Sequence, residues 1–186
     1  AAIQGLVFVP TENYVTAEET WPFVFDILVT DPHISYPVAS SVTVNVKAIN
    51  DPPTISGTIR GQPVHYLGSI LPFASVLITE VDDRTLQPLL VTVSFDPTRG
   101  SFLDLAGFVL VSPGVYSFQG TAAEATAALR LLEFAPDTGG RFVVDSAWPP
   151  SSEETFFTIT VDDGFADPVV DRSEEHTSEL QSRQYL

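Results

Sequence analysis

Cysteine is absent from this sequence. That excludes a disulfide framework and a thiolate metal site, and it leaves the redox compartment open. Methionine is absent too, so the chain is expected to be an internal piece of a longer polypeptide. Lysine occurs once, at Lys47, and the basic total of 8 Lys and Arg faces 24 Asp and Glu, a net charge of -16. A surface this acidic repels phosphate backbones and attracts cations, so nucleic-acid binding is not expected. Plain solvation or salt adaptation is the simpler use of the same charge. No apolar run approaches the ~20 residues of a membrane span. There is no Gly-x-Ser-x-Gly elbow, no phosphate-binding glycine loop and no His-Glu-x-x-His. His33 and His65 are isolated and His176 lies near the C-terminus, so a non-catalytic protein is expected.

What is present is alternation. Apolar residues make up 44% of the chain, enough to bury a core. Val42, Val44, Val46 and Ala48 are interleaved with Thr43, Asn45 and Lys47, the period-2 pattern of a half-buried strand. Similar runs occupy 23–30, 70–79, 89–95, 108–111, 141–145 and 155–161. Turn signals punctuate them, as at Pro97-Thr98-Arg99-Gly100 and Pro113-Gly114. One segment differs: residues 121–132 are alanine-rich, with Thr121 as a candidate N-cap and Glu124 three residues on. That spacing predicts a capping box and a short helix packed on the strands. Phe102, Phe108, Phe118 and Phe134 are expected in the core. The predicted class is all-β, a Greek-key β-sandwich with one short helix.

The sequence also repeats itself. Leu6-Val7-Phe8-Val9-Pro10 matches Leu132-Glu133-Phe134-Ala135-Pro136. Glu18-Glu19-Thr20 matches Glu153-Glu154-Thr155. Phe25-Asp26-Ile27-Leu28-Val29-Thr30-Asp31 matches Phe157-Thr158-Ile159-Thr160-Val161-Asp162-Asp163. The three matches keep their order. The expected organisation is therefore the C-terminal half of one repeat at 1–49, a rigid linker at 50–53 and a second repeat at 54–171. In the second copy Asp163 is followed only by GFADPVVD before the character of the sequence changes. That repeat is expected to lack its last strand and to leave an unpaired edge. The final residues, RSEEHTSELQSRQYL at 172–186, carry no apolar periodicity and resemble translated sequencing-adapter sequence. They are expected to be a non-native tail and are excluded from the reading of fold and function. With two basic and three acidic residues among them, the acidity belongs to the rest of the chain.

The linker reads Asn50-Asp51-Pro52-Pro53. Proline fixes φ near -65° and holds its predecessor extended, so the pair forms a short, semi-rigid spacer. Carboxylates cluster at the ends of the strand-like runs, at Asp51, at Glu80, Asp82 and Asp83, at Asp162 and Asp163, and at the two Glu-Glu-Thr sites. Hard oxygen donors in loops are what calcium takes. The strand that begins after Glu18 and Glu19 spans ~26 Å over about eight residues. The strand from Ser40 to Ala48 then returns, so Asn50 and Asp51 are expected beside the two glutamates.

Through AINDPPTI, ITEVDD, FDILVTD and FTITVDDG the chain resembles the cadherin-like tandem β-sandwich repeats of large cell-surface or secreted adhesins. The resemblance implies an Ig/cadherin-like Greek-key fold, an extracellular or cell-surface location and calcium (Ca2+) where one repeat meets the next. The metal ligands it implies are Glu18, Glu19, Asn50, Asp51, Glu80, Asp82 and Asp163. The sequence departs from the family pattern at Ala48 and Pro52, where such linkers carry aspartate and asparagine, and at Glu80, where they carry aspartate. The implied partners are neighbouring repeats, then a cell-surface protein or glycan. An alternative is a carbohydrate- or ligand-binding accessory module of an extracellular enzyme, using Trp21 and Trp148. Each tryptophan precedes a proline, which reads first as packing at a strand entrance.

Overall fold

The computed structural model describes residues 3–11, 17–33, 38–64, 68–82, 88–137, 154–173 and 178–180. Six sequence expectations lie outside these residues: the strand at 141–145, and the positions of His65, Asp83, Trp148, Glu153 and His176. The chain is mostly β, with its strands paired antiparallel except for one short parallel pair, and it has a single α-helix among the described residues. It divides into two compact units, Ala1–Asp51 and Pro52–Leu186.

The first unit is a ribbon of two long strands, β1 (Thr20–Val29) and β2 (Val38–Lys47), preceded by a 3-10 turn at Ile3–Gly5. They pair antiparallel from Thr20 opposite Lys47 to Val29 opposite Val38. Opposed residues share a face, so period 2 sorts the ribbon into two sides. One side carries Trp21, Phe23, Phe25, Ile27 and Val29 with Val38, Ser40, Val42, Val44 and Val46. The other carries Asp26 and Ser41, whose hydroxyl donates to the Asp26 carboxylate at 2.6 Å. The Phe8 ring lies on the apolar side, 5.2 Å from Phe23 and 4.9 Å from Phe25.

The second unit is built on a five-stranded sheet in the order β12-β11-β6-β9-β8. The members are β6 (Leu89–Ser94), β8 (Val109–Ser112), β9 (Val115–Gly120), β11 (Phe157–Asp162) and β12 (Val169–Ser173). Strict alternation in β6 and β11 sends Leu89, Val91, Val93, Phe157, Ile159 and Val161 inward, and all six are buried. Facing them are short strand pairs and a helix. β3 (Thr54–Ser56) pairs with β5 (Leu77–Thr79), and β7 (Gly100–Asp104) pairs with β10 (Glu133–Pro136).

The helix, α1 (Ala122–Leu131), begins at the expected cap. The Thr121 hydroxyl accepts from the Glu124 N–H, and the Glu124 carboxylate accepts from the Thr121 N–H, which closes the capping box. Its buried face, Ala125, Ala128 and Leu129, meets the core. Thr126 accepts from the Ile78 N–H at 3.0 Å, and the Arg130 side chain donates to the Val76 carbonyl at 2.8 Å. These bonds tie the helix to β5 and satisfy backbone groups that burial would otherwise strand.

Rings fill the centre. Phe73, Phe95, Phe102, Phe134 and Phe157 with Tyr116 form a continuous cluster, mostly in edge-to-face contact. Such pairs add about 0.5–1.5 kcal/mol each beyond the area they bury. Phe102, Phe108 and Phe134 are buried as expected, and Phe118 packs against the core from its margin. Gly114 allows the Pro113-Gly114 turn between β8 and β9: its φ is +76°, and a Cβ there would stand 2.2 Å from the Phe95 carbonyl oxygen.

Three expectations need correction. The run 70–79 is not one strand: a turn at 72–75 leaves a single bridge at Ile70 and the short β5. Pro72 has no N–H to give a ladder, and Ala74 and Val76 donate back to Leu71 and Phe73 instead. The edge beyond β11 is not open, because β12 pairs with β11 from Phe157 opposite Ser173 to Val161 opposite Val169. Nor is the polar stretch after residue 171 wholly outside the strands. Arg172 and Ser173 belong to β12, and β13 (Ser178–Leu180) runs parallel to β4 (Gln62–Val64). A ladder is made by the backbone, and an exposed edge accepts strands of little apolar character.

Candidate acidic site

The expected ligand residues fall into two groups, one in each unit. In the first unit, Glu18 stands at a turn before β1 with φ of +64°, an uncommon conformation for a residue with a side chain. The Glu19 carbonyl accepts from the Ala48 N–H at 3.0 Å, so the start of β1 and the end of β2 are held together. The Glu18 carboxylate lies 2.6 Å from the Lys47 ammonium and also accepts from the Asn50 backbone N–H. The Lys47 hydrogen bond, then the Asn50 N–H, then the Lys47 charge hold this carboxyl below the usual glutamate range. Glu18, Glu19 and Asn50 thus meet at one end of the ribbon, with Asp51 following Asn50 along the chain. Lys47 places a positive charge among them. Sequence reading named Lys47 but gave it no part here; its position between Val46 and Ala48 on the returning strand was the available signal.

In the second unit, Glu80 follows β5 and Asp163 follows β11, so both sit where a strand leaves the sheet. One Glu80 oxygen, Oε1, accepts from the Asp82 N–H at 3.0 Å. The other, Oε2, is enclosed and has no hydrogen-bond partner among the described residues. Loss of water around the carboxylate pushes the Glu80 carboxyl up, the charges of Asp163 and Asp82 raise it further, and the N–H groups of Asp82 and Val81 oppose the shift. Asp163 accepts from the N–H groups of Phe165 and Ala166, each at 2.9 Å, and Asp162 accepts from Gly164 at 2.8 Å. These bonds fix the hairpin loop that carries Asp163.

Glu80, Asp82 and Asp163 therefore share one electrostatic neighbourhood, in which a partly dehydrated carboxylate faces two like charges. Among the described residues, no group of three or more His, Asp or Glu side chains is gathered tightly enough to hold a metal ion by itself. Trp21 is 54% exposed and lies in a row with Phe23 and Phe25 on the apolar side of the ribbon.

No helix among the described residues is long and apolar enough to cross a membrane. No protein-family model matches the sequence, and comparisons with curated proteins and with solved structures give no match.

Proposed function

We propose that this chain is a non-catalytic structural repeat of an extracellular, cadherin-like adhesion stalk, and that calcium steadies its acidic strand ends. The observation that carries the reading is Glu80. Its Oε2 is buried without a hydrogen-bond partner among the described residues, beside the charges of Asp82 and Asp163. A buried, unsatisfied carboxylate oxygen among like charges destabilises the fold at neutral pH, and a hard cation offsets that directly. Glu80, Asp82 and Asp163 would hold the ion, with water completing a shell of about six to eight oxygens. In the first unit Glu19, Asn50 and Asp51 would be a separate set of donors, while Glu18 is engaged by Lys47. The Greek-key sandwich and the rigid Pro52-Pro53 spacer belong to the same reading.

Melting of the full chain in millimolar calcium and in chelator tests it. Calcium should raise the melting temperature, and Asp82→Ala should remove most of that increment. Identical curves in the two conditions would take the metal out of the proposal and leave only the spacer.

A further inference from the structure

Among the described residues of the first unit, the apolar side of the β1–β2 ribbon is partly exposed. Phe25 is 39% exposed and Val42 48%. Phe157, which the internal repeat matches to Phe25, is 1% exposed. One local contact recurs within each unit. Phe8 meets Phe25 edge-on at 4.9 Å, and Phe134 meets Phe157 edge-on at 5.0 Å. Phe8 and Phe134 are themselves matched by the repeat, so the same ring pair is built twice. The match also extends further back than Leu6: Ala1-Ala2-Ile3-Gln4 aligns with Ala127-Ala128-Leu129-Arg130 at the end of α1. In the first unit a 3-10 turn at Ile3–Gly5 leads into the Phe8 segment.

The second unit shows what belongs over such a ring. Phe157 is covered by Phe73 at 5.2 Å, Phe95 at 5.4 Å and Phe102 at 6.2 Å, all from the chain between β3 and α1. We infer that the Trp21–Val29/Val38–Val46 face is a docking surface for a half-repeat of the chemistry of residues 54–126. The inference rests on the repeat and on the paired rings, and it is independent of calcium.

The repeat register specifies the test. Residues 54–126 are fused directly before Ala1 of the full chain, so that Thr126 runs into Ala1 as it runs into Ala127 in the second unit. Trp148→Phe leaves Trp21 as the reporter in both the parent and the extended chain. Docking should move Trp21 emission to shorter wavelength and slow amide exchange in β1 and β2 by about a hundredfold. Val42→Asp in the extended chain should abolish both changes while the unfolding transition of the second unit stays in place. That transition also reports that the sample has folded. Unchanged emission and exchange beside a native second unit would overturn the inference. So would a parent chain that shields Trp21 by forming dimers, which would assign the face to a second copy.

Discussion

Replacing Glu80 by glutamine isolates the electrostatics of the acidic site with the least change of shape. In chelator the amide should stabilise the second unit. It keeps an oxygen for the Asp82 N–H, and it replaces the enclosed, unpartnered Oε2 with a donor beside two carboxylates. A buried unsatisfied polar group is destabilising by about 1–3 kcal/mol. Part of the Glu80 side chain still meets water, so screening brings the expected gain to the low end, about 1 kcal/mol. For a unit of this size that corresponds to about 3–5 °C in Tm. The gain should depend on pH. Because the Glu80 carboxyl is raised, the folded chain keeps its proton to higher pH than the unfolded chain does. Glu80 therefore takes nothing from stability below the ordinary glutamate value, and it subtracts increasingly as pH climbs through the raised one. The advantage of Glu80→Gln should be small in acid and full at neutral pH. In calcium the order should reverse. With Kd of about 0.1–1 mM, 10 mM ion stabilises the parent by about 1.4–2.7 kcal/mol, and the variant should recover little of this. Scanning calorimetry at two pH values, with calcium or chelator, reads all four conditions. A variant less stable than the parent in chelator at neutral pH, or one with an undiminished calcium increment, would refute the reasoning.

Other perturbations test the scaffold that positions the site. Thr121→Ala removes one side of the capping box and should lower stability by about 1 kcal/mol in denaturant titration; no change would mean that tertiary contacts alone set the helix start. Phe157→Ala opens the centre of the ring cluster and should destabilise the second unit by about 3–5 kcal/mol. A loss under 1 kcal/mol would show a core far looser than the ring contacts describe. Gly114→Ala forces a Cβ against the Phe95 carbonyl at a positive φ and should be destabilising by more than about 1 kcal/mol.

How far the fold was legible depended on whether the signal was local. Thr121 and Glu124 announce a helix by themselves, because a capping box is completed within four residues. β6 and β11 were readable because burial on one face imposes alternation that no turn interrupts. The run at 70–79 looked similar, yet Pro72 ended it; apolar composition was weighed above the missing donor. Strands β7, β9 and β10 were passed over, although Val115-Tyr116-Ser117-Phe118 alternates and the Phe134 segment recurs around Phe8. β12 is not legible from apolar periodicity, because its last residues are polar and the strand is held by backbone bonds to β11.

The acidic site was legible in part. The path of two antiparallel strands brings Glu18 and Glu19 towards Asn50 from spacing alone. Nothing in the spacing of Glu80 and Asp163 says that they meet, since that depends on where β5 and β11 leave their sheets. Lys47 was the harder miss, because its charge matters only once the ribbon register sets it against Glu18.

The most direct test of the central claim is a calcium titration of the full chain followed by amide NMR. Shifts at Glu80–Asp82 and through the Asp163–Ala166 loop, saturating at about 0.1–1 mM, are the expected result. Amides in that neighbourhood that stay still through 10 mM calcium, about ten times the weakest expected Kd, would contradict it.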